Sequence, residues 1–187
     1  METSNQLRIE CLSADSASLA EDIRMLGAVL HACVHAGASV SFVLPFSQEQ
    51  AAAWWRDRIL PAVRSGDCRV LTARLHGSIA GTVQLDLDTP PNQPHRAEVR
   101  KLLVHPEARR LGIARALMSA AEDVALQAGR TLLTLDTLTG STGEALYVSM
   151  GYIRAGVIPG YSLRPDTPEL DAATFLYKPL TPGPASR

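Results

Sequence analysis

The segment Leu102-Leu103-Val104-His105-Pro106-Glu107-Ala108-Arg109-Arg110-Leu111-Gly112-Ile113-Ala114 restricts the fold of this chain more than any other stretch. It reads as an apolar strand, a proline stop and a basic turn that opens a long helix. The first N–H groups of such a helix have no partner within it. They point, with the positive end of the helix dipole, at whatever lies beyond the strand. That arrangement is an anion site, and phosphate is the usual anion. Gly112 and Ala114 keep the backbone approachable, and Arg109, Arg110 and Arg115 add positive charge around it.

Two common phosphate sites are excluded. The chain has no G-x-x-x-x-G-K-[ST] and no G-x-G-x-x-G at an early strand–turn–helix unit. What stands here is Arg109-x-x-Gly112-x-Ala114. It resembles the pyrophosphate-binding [R/Q]-x-x-G-x-[G/A] segment of the GCN5-related N-acetyltransferases, the GNAT family, whose ligand is acetyl-CoA. The next strand, Thr131 to Thr137, leads to Gly140-Ser141-Thr142-Gly143-Glu144-Ala145-Leu146-Tyr147 and then Gly151-Tyr152. This resembles the second signature of the same family, A-x-x-L-Y-x-x-x-G-[FY], in order and in spacing. Gly140 stands where the family often has asparagine, and Gly143 where it often has alanine. Further upstream, Val34 to Phe42, then Arg96 to Leu102 and Leu135-Asp136-Thr137, resemble the tabtoxin-resistance type of acetyltransferase.

The resemblance implies a single domain over residues 1–187, with a catalytic core at about 67–180. The implied fold is mixed α/β: a central mixed β-sheet, splayed between its fourth and fifth strands and flanked by helices. It further implies that acetyl-CoA is the acetyl donor, held by Leu103, Val104, Arg109, Arg110, Leu111, Gly112, Ile113, Ala114 and Arg115. The acceptor would be the amine of a small amino-acid-like molecule or toxin, attacking directly in a ternary complex, with resistance as the biological outcome.

Periodicity gives the elements independently. Leu7 to Cys11 alternates as a first strand. Leu19, Ile23, Leu26 and Leu30 form one stripe of a helix over about Ser16–Ala36, and a second helix is expected from near Ser47 to about Ser65. Arg69–Leu75 and Ser78–Leu87 form a hairpin around His76-Gly77. Pro90–Pro94 is a loop, and Arg96–Val104 is the central strand. Leu117, Ala120 or Ala121, Val124 and Ala128 give the following helix its apolar face, and Gly129 ends it. Strands Tyr152–Ile158 and Ala172–Lys178 are expected to flank a proline-rich loop, and Thr181–Arg187 is expected to be a frayed tail.

Acetyl transfer needs a neutral amine, a donor for the oxyanion and a proton for the departing thiolate. Tyr147, which the resemblance puts at the family's catalytic tyrosine, is the candidate acid. Glu98 and Asp136 are the candidate bases, since each is an acidic residue in an otherwise apolar or β-branched strand. Each also has an ordinary explanation. Glu98 could pair with Arg96 or Arg100, and Asp136 could cap the turn at Thr137–Gly140. The resemblance places the oxyanion donor on the main chain near Leu103 and Val104, and Pro106 supports an early end to strand pairing there. Of Trp54 and Trp55, one is expected in the core and the other at a pocket or interface.

Composition narrows the partners. With 46% apolar residues, 20% charged residues and a net charge of −1, the chain lacks the polybasic footprint of a nucleic-acid binder. No stretch approaches the length of a membrane span, and Met1–Gln6 lacks the pattern of a signal peptide. Cys11, Cys33 and Cys68 are odd in number and far apart, which suits free thiols in the cytoplasm. His31 and His35 sit one helical turn apart with no third ligand evident, so no metal is expected. The oligomeric expectation is a monomer or homodimer. Two other functions compete with acetylation of a small amine: acetylation of a protein N-terminus or lysine, which needs an open groove, and an acyl-CoA-binding sensor without turnover.

Overall fold

The computed structural model describes residues 7–181; Met1–Gln6 and all but the first residue of the expected tail lie outside them. Seven strands form one sheet in the order β1-β2-β3-β4-β5-β7-β6. The strands are β1 (Arg8–Cys11), β2 (Cys68–Leu75), β3 (Ser78–Asp86), β4 (Arg96–Val104), β5 (Leu132–Leu138), β6 (Ile153–Leu163) and β7 (Leu170–Pro179). The helices are α1 (Leu19–His35), α2 (Gln48–Trp54), α3 (Leu60–Ser65), α4 (Ile113–Gln127) and α5 (Thr142–Ser149).

Strand alternation divides the side chains between two faces. Leu71, Ala73, Val83, Leu85, Ala97, Val99, Leu133 and Leu135 share a core with Ile113, Leu117, Met118, Ala121 and Ala125 of α4. Val70, Ile79 and Leu103 share the other core with α1, Ala51 of α2 and Trp55. The apolar stripe of α4 is thus rotated from the expected one: Met118, Ala121 and Ala125 are buried, Val124 is half-buried and Ala128 is exposed. The sheet covers the side that contact, not sequence periodicity, selects among several alanines.

The expected second helix is interrupted. Trp55–Ile59 forms a π-helical turn between α2 and α3, in which the Leu60 N–H bonds to the Trp55 carbonyl. Pro61 follows; it has no N–H, and its ring would press on the carbonyl four residues back, so the helix widens there.

Two proline-rich segments were expected as loops, and only the first is one. Pro90–Pro94 precedes β4 and is pinned by Arg130, which bonds to the Pro94 and Leu87 carbonyls. It lies at the opposite end of β4 from Leu102–Val104. The segment from Pro159 is not a loop: β6 runs on to Leu163, and only Arg164–Glu169 connects it to β7. β6 is an edge strand, where a proline costs no ladder bond, and its pairing with β7 is irregular between Ile158 and Ser162.

β4 and β5 are parallel, and they pair only at Arg96↔Leu132, Ala97↔Leu133 and Glu98↔Thr134. Beyond Glu98 the two strands separate, so the sheet splays between its fourth and fifth strands. β5 continues instead against β7 as far as Leu138↔Ala173. No helix among the described residues is long and apolar enough to cross a membrane. Cys11, Cys33 and Cys68 are all free thiols.

Candidate active site

The splay opens into a cavity of about 680 Å³. One wall is Leu102–Val104 of β4, and another is Thr137 and Leu138 of β5. The turn Arg109, Arg110 and Gly112 closes one end with the first residues of α4, Ile113, Ala114 and Arg115. Eight of the nine residues expected to hold the acetyl donor therefore line one cavity. The ninth, Leu111, points away and is 59% exposed.

The backbone of the turn explains its sequence. Arg109 is extended, then Arg110 (φ 68) and Gly112 (φ 77) are left-handed, and Gly112 caps α4. A left-handed residue followed by a helical one, as at Gly112 and Ile113, leaves neighbouring main-chain N–H groups on one concave side. A Cβ on Gly112 would meet nothing within 4 Å, so it would project into open space. Gly140 is also left-handed, at φ 76, a conformation that glycine and asparagine share. Replacing the family's asparagine by glycine therefore keeps the backbone and loses only a side chain. Ser141 caps α5 by accepting from the Glu144 N–H at 3.1 Å. The buried Glu144 in turn accepts from the Gly140 N–H and from Arg154, each at 2.6 Å. These bonds fix the α5 end, from which Ser141, Thr142, Gly143 and Leu146 face the cavity.

Several lining residues were not among those expected to hold the acetyl donor. Cys33 and the segment Gly37–Val40 close the cavity from the α1 side. Cys33 is buried and donates its thiol to the Val104 carbonyl at 3.4 Å, and burial raises its pKa. The chain from Gly37 to Ser47 then crosses to the β6–β7 hairpin. Ser39 Oγ meets Ser162 Oγ at 3.2 Å, and the Leu44 N–H bonds to the Pro165 carbonyl at 2.7 Å. This crossing puts a roof over the open side of the splay.

Tyr147 does not line the cavity. Its ring is buried in the α4-side core, tilted against Tyr152 at 5.6 Å between centroids. The ring edge still reaches the cavity wall, since a Cβ on Gly143 would lie 3.8 Å from Tyr147 Cε2. Its hydroxyl has no hydrogen-bond partner among the described residues. Burial, and then the charge of Asp136, push its pKa above the usual phenol value, so it stays protonated at neutral pH.

The two candidate bases part company. Glu98 is clamped: Arg100 donates Nε and Nη2 to its two oxygens at 3.0 and 3.1 Å, and Arg96 Nη1 lies at 3.8 Å. Arg100 also reaches Asp86 at 3.1 Å. Asp136 makes no such pair, and in the turn it might have capped the Gly140 N–H is taken by the Glu144 carboxylate. Asp136 is exposed to solvent and does not itself line the cavity; it stands one residue before the lining Thr137. Desolvation by the surrounding protein, and then repulsion from Glu98, raise its pKa against the pull of Lys101 and Arg100.

Trp55 is fully buried, while Trp54 is half-buried and meets Phe42 edge-on at 5.4 Å. The rings of His31 and His35 lie tilted against each other at 4.1 Å between centroids, and His35 Nε2 bonds to the Phe46 carbonyl. Among the described residues, no three His, Cys, Asp or Glu side chains come together as a metal-binding group.

Comparison with known proteins agrees with this architecture. A model of the acetyltransferase (GNAT) family matches residues 33–152. An "IAA acetyltransferase" of Azospirillum brasilense is 34% identical over 122 residues, which are 65% of this chain and 74% of that protein. An N-acetyltransferase from Staphylococcus aureus Mu50 has the same fold, with a TM-score of 0.76 at 18% identity, over 94% of this chain and 99% of its own. So has yncA from Salmonella typhimurium, solved with its cofactor acetyl-CoA, with a TM-score of 0.76 at 17% identity over 97% and 98% of the two chains. The match to the family over residues 33–152 and the splayed sheet with its basic turn lead to one conclusion: this chain belongs to the GNAT family and is an N-acetyltransferase.

Proposed function

We propose that the protein transfers the acetyl group of acetyl-CoA to the amine of a small amino-acid-like molecule, by direct attack in a ternary complex. The observation that carries this reading is the single cavity that joins the basic turn, the parted strands β4 and β5, and the start of α5. It suits a long ligand with an anionic end and an extended arm. The structure of yncA contains acetyl-CoA, which supports acetyl-CoA as the donor here. The main-chain N–H groups of Arg110 to Ala114, with Arg109, would hold the pyrophosphate. The freed edge of β4 near Leu103 and Val104 would hold the arm and the oxyanion.

Asp136 takes the proton from the acceptor's ammonium, directly or through a water. The neutral amine nitrogen then bonds to the thioester carbonyl carbon, and the C–S bond breaks as the tetrahedral species collapses. Tyr147 donates its phenolic proton to the departing sulfur, and the second proton leaving the amide nitrogen passes through solvent to restore the phenol. Glu98 serves as the partner of Arg100. The roof from Gly37 to Ser47 supports a small acceptor, because it closes the groove that a peptide would need. The resemblance of Gly37–Phe42 to the tabtoxin-resistance type supports an amino-acid-like acceptor, with resistance to a toxin as one biological outcome.

The test is acetyl-CoA-dependent thiol release with small amino-acid-like amines, set against protein N-terminal and lysine-bearing peptides. Small amines should give the higher kcat/KM. Peptides winning by a wide margin would move the assignment to protein acetylation. Coenzyme A binding with no thiol release from any amine would make the protein a sensor.

Asp136→Asn gives a sharper check. Its rate should fall at least about tenfold near neutral pH, and the deficit should narrow once the amine is deprotonated by solvent at high pH. Stability should move the other way. The folded-state pKa of Asp136 is raised, so the stabilisation associated with its protonated form is lost as pH rises through that pKa. At neutral pH the asparagine variant should therefore melt at or above the wild-type temperature. A lower melting temperature together with an unchanged pH–rate profile would make Asp136 structural.

A further inference from the structure

We infer that Lys101 is a specificity residue that binds a carboxylate on the acceptor molecule, opposite the amine that faces Asp136. This rests on the acetyl-transfer reading and names what the acceptor carries besides its amine.

The first observation is a β-bulge. β3 pairs Gln84 with Arg100 and Thr82 with Leu103, so Lys101 and Leu102 together stand opposite Val83. Strict alternation would send residue 101 the same way as Ala97 and Val99, into the apolar core under α4. The bulge lifts Lys101 out of that series. Its backbone is left-handed, at φ 51, which a lysine rarely adopts. Strain of this kind persists where the surroundings hold a side chain for a purpose.

The second observation is what surrounds the ammonium. Nζ donates to Ser41 Oγ at 2.9 Å and lies 5.6 Å from the ring centroids of both Phe42 and Trp54. Ser41 is itself left-handed, at φ 75. Among the described residues no carboxylate comes within ion-pair distance of Lys101. The neighbouring Arg96 and Arg100 are both paired. A lysine has three N–H donors, and Ser41 takes one. A half-buried cation beside two rings, with donors to spare and no carboxylate in ion-pair contact, is suited to receive an anion.

The third observation is position. The cavity walls end at Val40, Leu102 and Thr137. The next residue along each wall is Ser41, Lys101 and Asp136 respectively. These three residues stand just beyond the lining; Lys101 and Ser41 touch at 2.9 Å, and the Lys101 charge acts on Asp136. A zwitterion with an ammonium and a carboxylate matches the Asp136 carboxylate and the Lys101 ammonium with opposite charges. Burial first, then Arg100, pull the pKa of Lys101 down to about 8, against Asp136. A bound carboxylate would offset that loss of charge.

The experiment compares L-amino acids with the matching amino-acid amides, which keep the amine and side chain and lose the anion. Each is assayed by thiol release, and its binding in the presence of coenzyme A is followed by tryptophan fluorescence. The wild-type protein should favour amino acids over amides at least tenfold in kcat/KM, mainly through KM. In Lys101→Met, which keeps an apolar stem, the ratio should collapse toward one, and Lys101→Arg should restore much of it. An unchanged ratio in Lys101→Met overturns the inference, as does an equal loss on both substrate sets without rescue by arginine. A wild-type preference for amides overturns it while leaving acetyl transfer intact. Tighter binding of amino acids than amides without thiol release from either would sink acetyl transfer and keep the anion site.

Discussion

Tyr147→Phe should lower kcat by about two orders of magnitude while leaving affinity for acetyl-CoA and the melting temperature nearly unchanged. A general acid contributes roughly 10²–10⁴ to rate, and a thiolate is a good enough leaving group to keep the effect near the lower end. The structural side of the expectation comes from the hydroxyl. The ring is buried against Tyr152, and phenylalanine keeps that packing. The hydroxyl makes no hydrogen bond within the described residues, so its removal strands no partner, and the usual penalty for a broken buried pair does not arise. Steady-state kinetics with a calorimetric melt on the same preparation separate the cases. Intact turnover would make Tyr147 a packing residue. Coupled loss of rate and of several degrees in Tm would assign it a structural role as well.

Gly112→Val should weaken coenzyme A binding by about tenfold to a hundredfold, or roughly 1.4–2.8 kcal/mol. Two effects act together. The left-handed backbone at φ 77 is strained for valine, at a cost of about 1–3 kcal/mol. In a chain of this size that should lower Tm by a few degrees. The side chain would also enter the space into which the first N–H groups of α4 point. No protein atom lies within 4 Å of its Cβ, so any obstruction would fall on a ligand. Gly112→Asn distinguishes the two effects, because asparagine tolerates this backbone and still adds bulk. Loss of affinity in both variants points to bulk at the pyrophosphate; loss in valine alone points to strain. Unchanged affinity in a folded Gly112→Val protein would falsify the anion-site assignment.

What was legible in the sequence was local. β4 begins at Arg96 and ends at Val104 as alternation and Pro106 require, and the His76-Gly77 turn falls between β2 and β3. The anion turn could be read because its ingredients are neighbours: a strand end, a left-handed glycine and the start of a helix. Its physics depends on bonds across no more than one helical turn. Tyr147 was a candidate through the resemblance, and Asp136, like Glu98, as an acidic residue in an otherwise apolar strand.

What tertiary structure alone decided depends on register and on apposition of distant segments. Glu98 and Asp136 were equivalent as acidic residues in strands. They differ because Arg100 lies on the same face as Glu98 and bridges to Asp86 of β3, whereas Asp136 sits where β5 has left β4. The rotation of the apolar face of α4 was hidden by its run of alanines, which a sheet can bury on either side. β6 continues through Pro159 because it is an edge strand, and edge position is a property of the sheet. Lys101 was the least visible of all. A period of two assigns it to the core, and only a bulge against Val83, together with a roof 60 residues away in sequence, turns it toward Ser41. Hydrogen bonds along one helix or one turn are written in consecutive residues. Which strand slips by one, and which loop closes over it, is settled by contacts that the linear order does not record.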